Sequence, residues 1–550
     1  MAIVRSQCGQ CGVGCGVRAF VESDRRLQIE GDRLHPANGG RLCSRADALK
    51  SMASIDRRLL QPWVDGRQQG WDKAIGQIAK RLSTLIARHG PGSVAMHVGG
   101  GLLTEDYYVA NKLMKGFFGS AHIHAPWRGA TDAMQKAAFG QDVMPGTFED
   151  IDHADLILIA GADIAQAHPV LLERIEAARE EHGATLVRIA DIGTLDDVEV
   201  DMRLDVMPGS TAQLLAGLLL HAHDSGALDP DDLARRVTAP ADFWDRLRSG
   251  RDIWSLAKLC RLAPAQIRAF YELVSAHDRV VTLIDADADL LAAAHNYHLA
   301  TGRIGRLGAT PFALTAQSNG MGAREVGCMP SALAAHRDFT PDALAQVGRF
   351  WGARHLAQAP GLEDDALLEA IYDGRVKALW SIGADEAAAP WLDRARKAVP
   401  LSIRSTDAAS ETQEGWTIVL PSPAWIEKDG TLTGMDRLIS RQRRLFDLPG
   451  DVKPDWWALT KVAQAMGWGD AFHYERSADI YREHVRLTAY GNDGSRLLNL
   501  KRHAPISNPA YDELTPWRWG EVPFDEGRFP TPDGKPRLLP IGRQPDAATS

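Results

Sequence analysis

Four of the chain's six cysteines fall within its first 43 residues, at Cys8, Cys11, Cys15 and Cys43 of 550. The spacing Cys-x2-Cys-x3-Cys-x27-Cys puts three thiols on one short loop and the fourth far along the chain. Thiolates bind soft metals and iron–sulfur clusters, so this segment is expected to fold around an inorganic centre. Structural zinc sites more often join two short cysteine knuckles. Here the second knuckle is missing. Gly9, Gly12, Gly14 and Gly16 let the loop fold tightly and turn backbone N–H groups toward the sulfurs. The residues favour a [4Fe–4S] cluster; a zinc site and free thiols are the alternatives. Cys260 in "AKLCRLAP" and Cys328 in "EVGCMP" have no ligand-like surroundings.

Bulk properties narrow the function class. The length predicts several domains rather than one core. Net charge is −9, so a general nucleic-acid or membrane-surface footprint is not expected. No apolar run reaches the roughly 18–20 residues that span a bilayer, and "TAQLLAGLLLHA" reads as a buried helix. The start, "MAIVRSQC", shows neither an apolar signal core nor twin arginines, so the expected location is cytoplasmic. A reducing compartment also favours metal chemistry over disulfides for the cysteine cluster.

Short apolar runs alternate with segments of helical period: "SVAMHVGG", "DLILIAGAD", "TLVRIAD", "RVVTLIDAD", "KALWSIGAD" and "TIVLP". This alternation predicts an α/β chain with mostly parallel, doubly wound sheets. Ligands of such sheets bind beyond the carboxyl ends of the strands. "DLILIAGADIA" (155–165) and "KALWSIGADEA" (377–387) both end in Gly-Ala-Asp, like internal copies. Glycine at a strand tip lets a phosphate approach the backbone, and the next helix N-terminus favours the anion. Two copies suggest two dinucleotide sites facing each other. The plainer reading is a strand-to-loop turn in which the Asp caps the next helix. His168, before Pro169, reads first as a hydrogen-bonded structural residue. No nucleophile triad, general-base dyad or Walker loop stands out.

The stretches "CGQCGVGCGVRAFVE", "IEGDRLHPANGGRLCSRADAL", "LLTEDYYVANKLMKGFFGSAHI" (102–123), "FEDIDHADLILIAGADIAQAHPVL" (148–171), "TGRIGRLGATPFALTAQSNGMGAREVG" (301–327), "AWIEKDGTLTGMDRLISRQRRLF" (424–446) and "PGDVKPDWWALTKVAQAMG" (449–467) resemble the molybdopterin oxidoreductases. Within that family the resemblance is to assimilatory nitrate reductases, and it runs over nearly the whole chain. It implies a [4Fe–4S] cluster on Cys8, Cys11, Cys15 and Cys43. It also implies molybdenum held by two molybdopterin guanine dinucleotides, and reduction of nitrate to nitrite. Cofactor-binding residues are then expected at Arg45, Gly161, Asp163, His168, Asp191, Gly209, Ser318, Asn319, Gly322, Gly383 and Asp385. Asp191 takes the guanosine-recognising position, and Arg128 and Arg324 are the catalytic candidates.

The chain departs from the family pattern in four places. Within the segment 115–140, the point where the molybdenum ligand is expected carries no Cys, Ser or Asp. Arg45 stands where the family has a Lys between cluster and pterin, keeping the charge but not the shape. Asp163 and Asp385 replace Asn, and an ionised carboxylate accepts but cannot donate. The family's C-terminal β-barrel domain is expected beyond residue 542 and is not in this sequence.

The expected domains are a cluster domain (1–57), a discontinuous α/β molybdopterin-type domain (58–145 and 341–542), a Rossmann-like dinucleotide-binding domain (146–340) and a tail (543–550). The expected function is a nitrate reductase-type oxidoreductase; a catalytically degenerate iron–sulfur electron-transfer or assembly protein is the alternative. Expected partners are an electron-donor protein or reductase subunit and a separate polypeptide supplying the missing domain, with neither nucleic acid nor membrane.

Overall fold

The computed structural model describes residues 2–125, 130–194, 198–384, 389–409, 415–521, 523–524 and 526–542. The chain forms two units. One comprises residues 1–127, 317–493 and 498–519; the other comprises 128–316, 494–497 and 520–550. Arg128 and Asp385 lie outside the described residues.

The first unit begins with a three-stranded antiparallel sheet, Ala2–Gln7, Gly16–Val21 and Leu27–Gly31. The cysteine loop is the connection between its first two strands. The unit's main sheet has seven strands. Its centre is a parallel run in the order Ile418–Pro421, Leu401–Thr406, Ala378–Ile382, Val94–Val98, Ile123–His124. The strands Trp63–Val64 and Arg67–Gln68 extend it antiparallel. Val94–Val98, Ala378–Ile382 and Ile418–Pro421 are buried on both faces, as a sheet covered by helices requires. The helix Trp71–His89 presents one apolar stripe, Ala74, Ile75, Ile78, Ala79 and Leu82, at the spacing of a half-buried helix. A second small antiparallel sheet joins Gly430–Thr433, Leu438–Gln442 and Trp517–Arg518.

The second unit is built on a fully parallel five-stranded sheet. Its order is Met202–Val206, Thr185–Asp191, Leu156–Ala160, Val280–Ile284, Thr310–Ala313. The first strand in sequence lies at the centre and later strands are added outward on either side, which is the doubly wound arrangement. The apolar stretch at 211–222 is the helix Thr211–Asp224, buried along almost its whole length against Ala288–Ala300. Gly217 allows this contact: a Cβ there would lie 2.3 Å from the Tyr271 hydroxyl, which donates to Leu214 O at 2.9 Å. No described helix is long and apolar enough to cross a membrane.

Candidate functional site: a cysteine loop and two sheet switch points

The cysteine loop is held by its own backbone. Cys8 N donates to Cys15 O at 2.8 Å and Gly14 N to Cys11 O at 3.3 Å, with Gly14 at φ +65°. Close packing requires the flanking glycines. A Cβ on Gly9 would lie 2.5 Å from the Trp425 indole, and one on Gly16 would lie 2.4 Å from His35. Asn38 clamps the segment leading to Cys43, accepting from Gly16 N at 3.0 Å and donating to Gly16 O and Arg41 O. Cys43 then precedes the short helix Ser44–Ala46. From that helix Arg45 reaches back and donates to Gln10 O at 2.9 Å, laying a cation across the loop.

Cys8, Cys11 and Cys15 are buried, and Cys43 is half-buried. Burial, with Cys11 and Cys43 adding to it and the Gln10 backbone and Arg45 opposing it, pushes the Cys8 thiol up to about 12. Burial likewise raises Cys11 and Cys15, and the other cysteines add to the rise at Cys15. The four sulfurs are thus close enough to sense one another, and thiolates among them need positive charge beyond Arg45. An iron–sulfur cluster supplies that charge and displaces the protons, so the donor set fits it. Among the described residues, no three His, Cys, Asp or Glu side chains draw together as ligands of a single ion do.

Both parallel sheets place a glycine at the point where strand order reverses. In the first unit that point lies between Val94–Val98 and Ala378–Ile382. There the backbones after the two strands meet, and a Cβ on Gly99 would lie 1.7 Å from Gly383 O. Gly383 is also left-handed, at φ +59°. In the second unit the point lies between Leu156–Ala160 and Val280–Ile284, and Gly161 follows the first of these at φ +74°. Gly161, Asp163, Asp191 and Gly209 are all exposed. They follow the carboxyl ends of neighbouring strands, whose central residues are buried. This open row of strand tips lies at the carboxyl end of the sheet, where doubly wound sheets bind their ligands.

Several of the other sequence-derived residues are buried or bonded within the protein. Asp163 caps the helix Ile164–Ala167 by accepting from Gln166 N at 3.1 Å. His168 is buried at the start of the helix Pro169–His182. Ser318 and Asn319 are buried. Asn319 donates to Leu102 O at 3.0 Å and to Thr104 Oγ1 at 3.2 Å, and accepts from Thr433 N at 2.7 Å. Gly322 must be glycine to pass this clamp, since its Cβ would lie 2.2 Å from Asn319 Oδ1. Arg324, on the helix Gly320–Glu325, is buried with its guanidinium 3.5 Å from Met321 Sδ.

The sequence reading missed the buried polar groups that hold this loop. Lys115 donates to the carbonyls of Gly327, Met329 and Ala332, each at 2.6 Å, and burial pushes its ammonium down to about 7. Glu105 accepts from Thr431 N, Thr431 Oγ1 and Tyr511 Oη, and burial raises it to about 7. Glu325 accepts from Thr433 Oγ1 at 2.9 Å and from Trp519 Nε1 at 2.6 Å. Arg188, buried on the strand Thr185–Asp191, donates to Ala162 O at 3.1 Å and props the Gly161 turn. The only signal in the sequence was a charged residue inside an otherwise apolar strand or helix.

Comparison with known proteins agrees with this geometry. The family profile "Molybdopterin oxidoreductase" matches residues 58–465, and "Molybdopterin oxidoreductase Fe4S4 domain" matches residues 1–53. A nitrate reductase of Klebsiella oxytoca is 38% identical over all of this chain and 65% of its own length. A nitrate reductase of Shewanella frigidimarina is 34% identical over 98% of this chain and 61% of its own length. The chain thus spans less than two thirds of the length of these relatives. Acetylene hydratase from Pelobacter acetylenicus shares the fold, with a TM-score of 0.75 at 15% identity, covering 98% of this chain and 77% of that one.

Proposed function

Because the chain belongs to the molybdopterin oxidoreductases, with molybdenum–pterin and [4Fe–4S] as its cofactors, we propose that it acts as the cluster- and pterin-binding part of a nitrate reductase in nitrate assimilation. The observation that carries this reading is Arg45, which spans from the cluster-binding segment to the backbone of the cysteine loop. When bound, the cofactors supply one-electron transfer at the cluster and two-electron oxygen-atom transfer at molybdenum. The protein's part is to hold three buried thiolates and the half-buried Cys43 around the cluster, to set a fixed cation beside them, and to open its strand tips to the dinucleotides. Arg324, on a helix clamped by Asn319 and Glu325, provides a buried positive charge for an anionic substrate. An electron-donor protein is the partner this reading requires. A cytoplasmic setting belongs to this reading.

A second reading is favoured by one observation: residues 115–140 contain no cysteine. On that reading the chain keeps its cluster and passes electrons without turnover. Nitrate reduction by dithionite-reduced viologen, run on anaerobically purified protein, separates the two. Turnover that disappears with Arg324→Gln supports the first reading. A protein that takes up the cluster's iron but neither molybdenum nor nitrate supports the second.

A further inference from the structure

We infer that the second unit carries a separate binding site for a small polyanion, a phosphorylated compound or polycarboxylate, at the end of its sheet opposite Gly161 and Asp191. The site is an open cavity of about 180 Å³, room for on the order of ten waters. It lies where the chain enters the strand Val280–Ile284 and where it leaves the helix Ala288–Ala300. Since that strand runs parallel to Leu156–Ala160, this is the amino end of the sheet, and the cofactor-facing tips are at the other.

Three arginines converge on the cavity: Arg236, Arg303 and Arg306. Arg303 is 7% exposed. It donates from Nε to Asp278 O at 3.2 Å and from Nη2 to His277 O at 2.7 Å, and lies 5.0 Å from the centre of the Tyr297 ring. Its plane is therefore fixed before any ligand arrives. Arg236 pairs with Asp232 at 2.6 Å. Its Nη1 lies 2.0 Å from where a Cβ on Gly302 would stand, and Nη2 of Arg306 lies 3.8 Å from the same point. The two guanidinium groups are therefore neighbours, and Gly302, at φ +66°, is the residue that lets them approach. Among the described residues the Arg306 side chain has no ion pair or hydrogen bond.

Like charges brought this close repel unless an anion joins them. The carboxylates at hand are Asp232, already paired, and Asp278, exposed on the rim. The hydroxyls of Ser275 and Thr301 complete the lining. Guanidinium forks grip phosphate and carboxylate in two-point contacts, and a concave wall with a buried, pre-set arginine suits a small ligand better than a protein surface.

Isothermal titration of the full chain at constant ionic strength tests the site, with inorganic phosphate, pyrophosphate and citrate as probes and an oligoglutamate peptide as the macromolecular competitor. Saturable binding of one of the small polyanions, weakened at least about tenfold by Arg306→Gln and unchanged by Arg354→Gln at an exposed arginine of the other unit, is the expected result. Tighter binding of pyrophosphate identifies a phosphorylated ligand, and tighter binding of citrate a polycarboxylate. Absence of saturable heat with all three, an Arg306→Gln variant that binds as tightly as the parent, or binding of the peptide alone each overturns the inference. The titration needs no turnover, so it stands or falls separately from the nitrate reductase reading.

Discussion

Replacing Asn319 with Ala separates a structural clamp from a cofactor ligand. The carboxamide joins three segments of the first unit through Leu102 O, Thr104 Oγ1 and Thr433 N, at 3.0, 3.2 and 2.7 Å. Leu102 and Thr433 are 1% exposed, so truncation leaves a buried carbonyl and a buried amide without their partner. Each orphaned group costs about 1–3 kcal/mol, and together they give a loss of about 2–6 kcal/mol. The assay is urea unfolding of the first unit followed by tryptophan fluorescence, with hydrogen exchange read locally at 316–327 and 430–433. The slope with denaturant should stay constant while the midpoint falls. Protection should drop first in those two peptides. Asn319→Asp should also destabilise, because it keeps an acceptor for Thr433 N but sets an oxygen against Leu102 O. A variant of unchanged midpoint that fails only to retain molybdenum would refute the clamp and make Asn319 a ligand.

Gly99→Ala should prevent closure of the first unit's switch point, because the added methyl would meet the Gly383 carbonyl at 1.7 Å; soluble yield and circular dichroism report this, and a folded variant of parental stability would contradict it. Gly9→Ala should loosen the cysteine loop against Trp425, lowering iron retention during desalting without unfolding the second unit; retention equal to the parent would refute it. Stability should also fall on acidification below about pH 6.5. His97, His295 and His484 are held near 3 by burial, with neighbouring histidines adding to the drop for His97 and His484. Below 6.5 the unfolded chain therefore binds protons that the folded one does not, at about 1.4 kcal/mol per pH unit for each histidine. Glu105 works the other way between 4.5 and 7, since its folded form keeps its proton longer. His295→Leu should flatten the slope of urea stability against pH by about one proton; an unaltered slope would show that His295 is not buried neutral.

Much of the scaffold was legible because it is written locally. The six apolar runs became Val94–Val98, Leu156–Ala160, Thr185–Asp191, Val280–Ile284, Ala378–Ile382 and Ile418–Pro421. The strands that escaped notice each have a reason. Thr310–Ala313 contains Pro311, tolerated because this strand pairs on one side only, with Val280–Ile284. Leu401–Thr406 is polar in composition and buries Arg404. Met202–Val206 is a half-exposed edge. The cysteine loop was legible from spacing alone. Asn319 was singled out through the family resemblance; its bonds to residues 102, 104 and 433 were not legible, because no local pattern announces contacts across that span. Lys115 and Glu105 were invisible for the same reason: a charge inside a helix is usually solvated, and only the tertiary fold surrounds these two with carbonyls and donors.

The central claim is that Cys8, Cys11, Cys15 and Cys43 enclose an iron–sulfur cluster that serves a molybdenum–pterin site. Elemental analysis of anaerobically purified full-length protein tests it most directly. The account predicts about four iron, about four acid-labile sulfide and about one molybdenum per chain, with the iron lost in Cys43→Ala. Stoichiometric zinc without iron would contradict it.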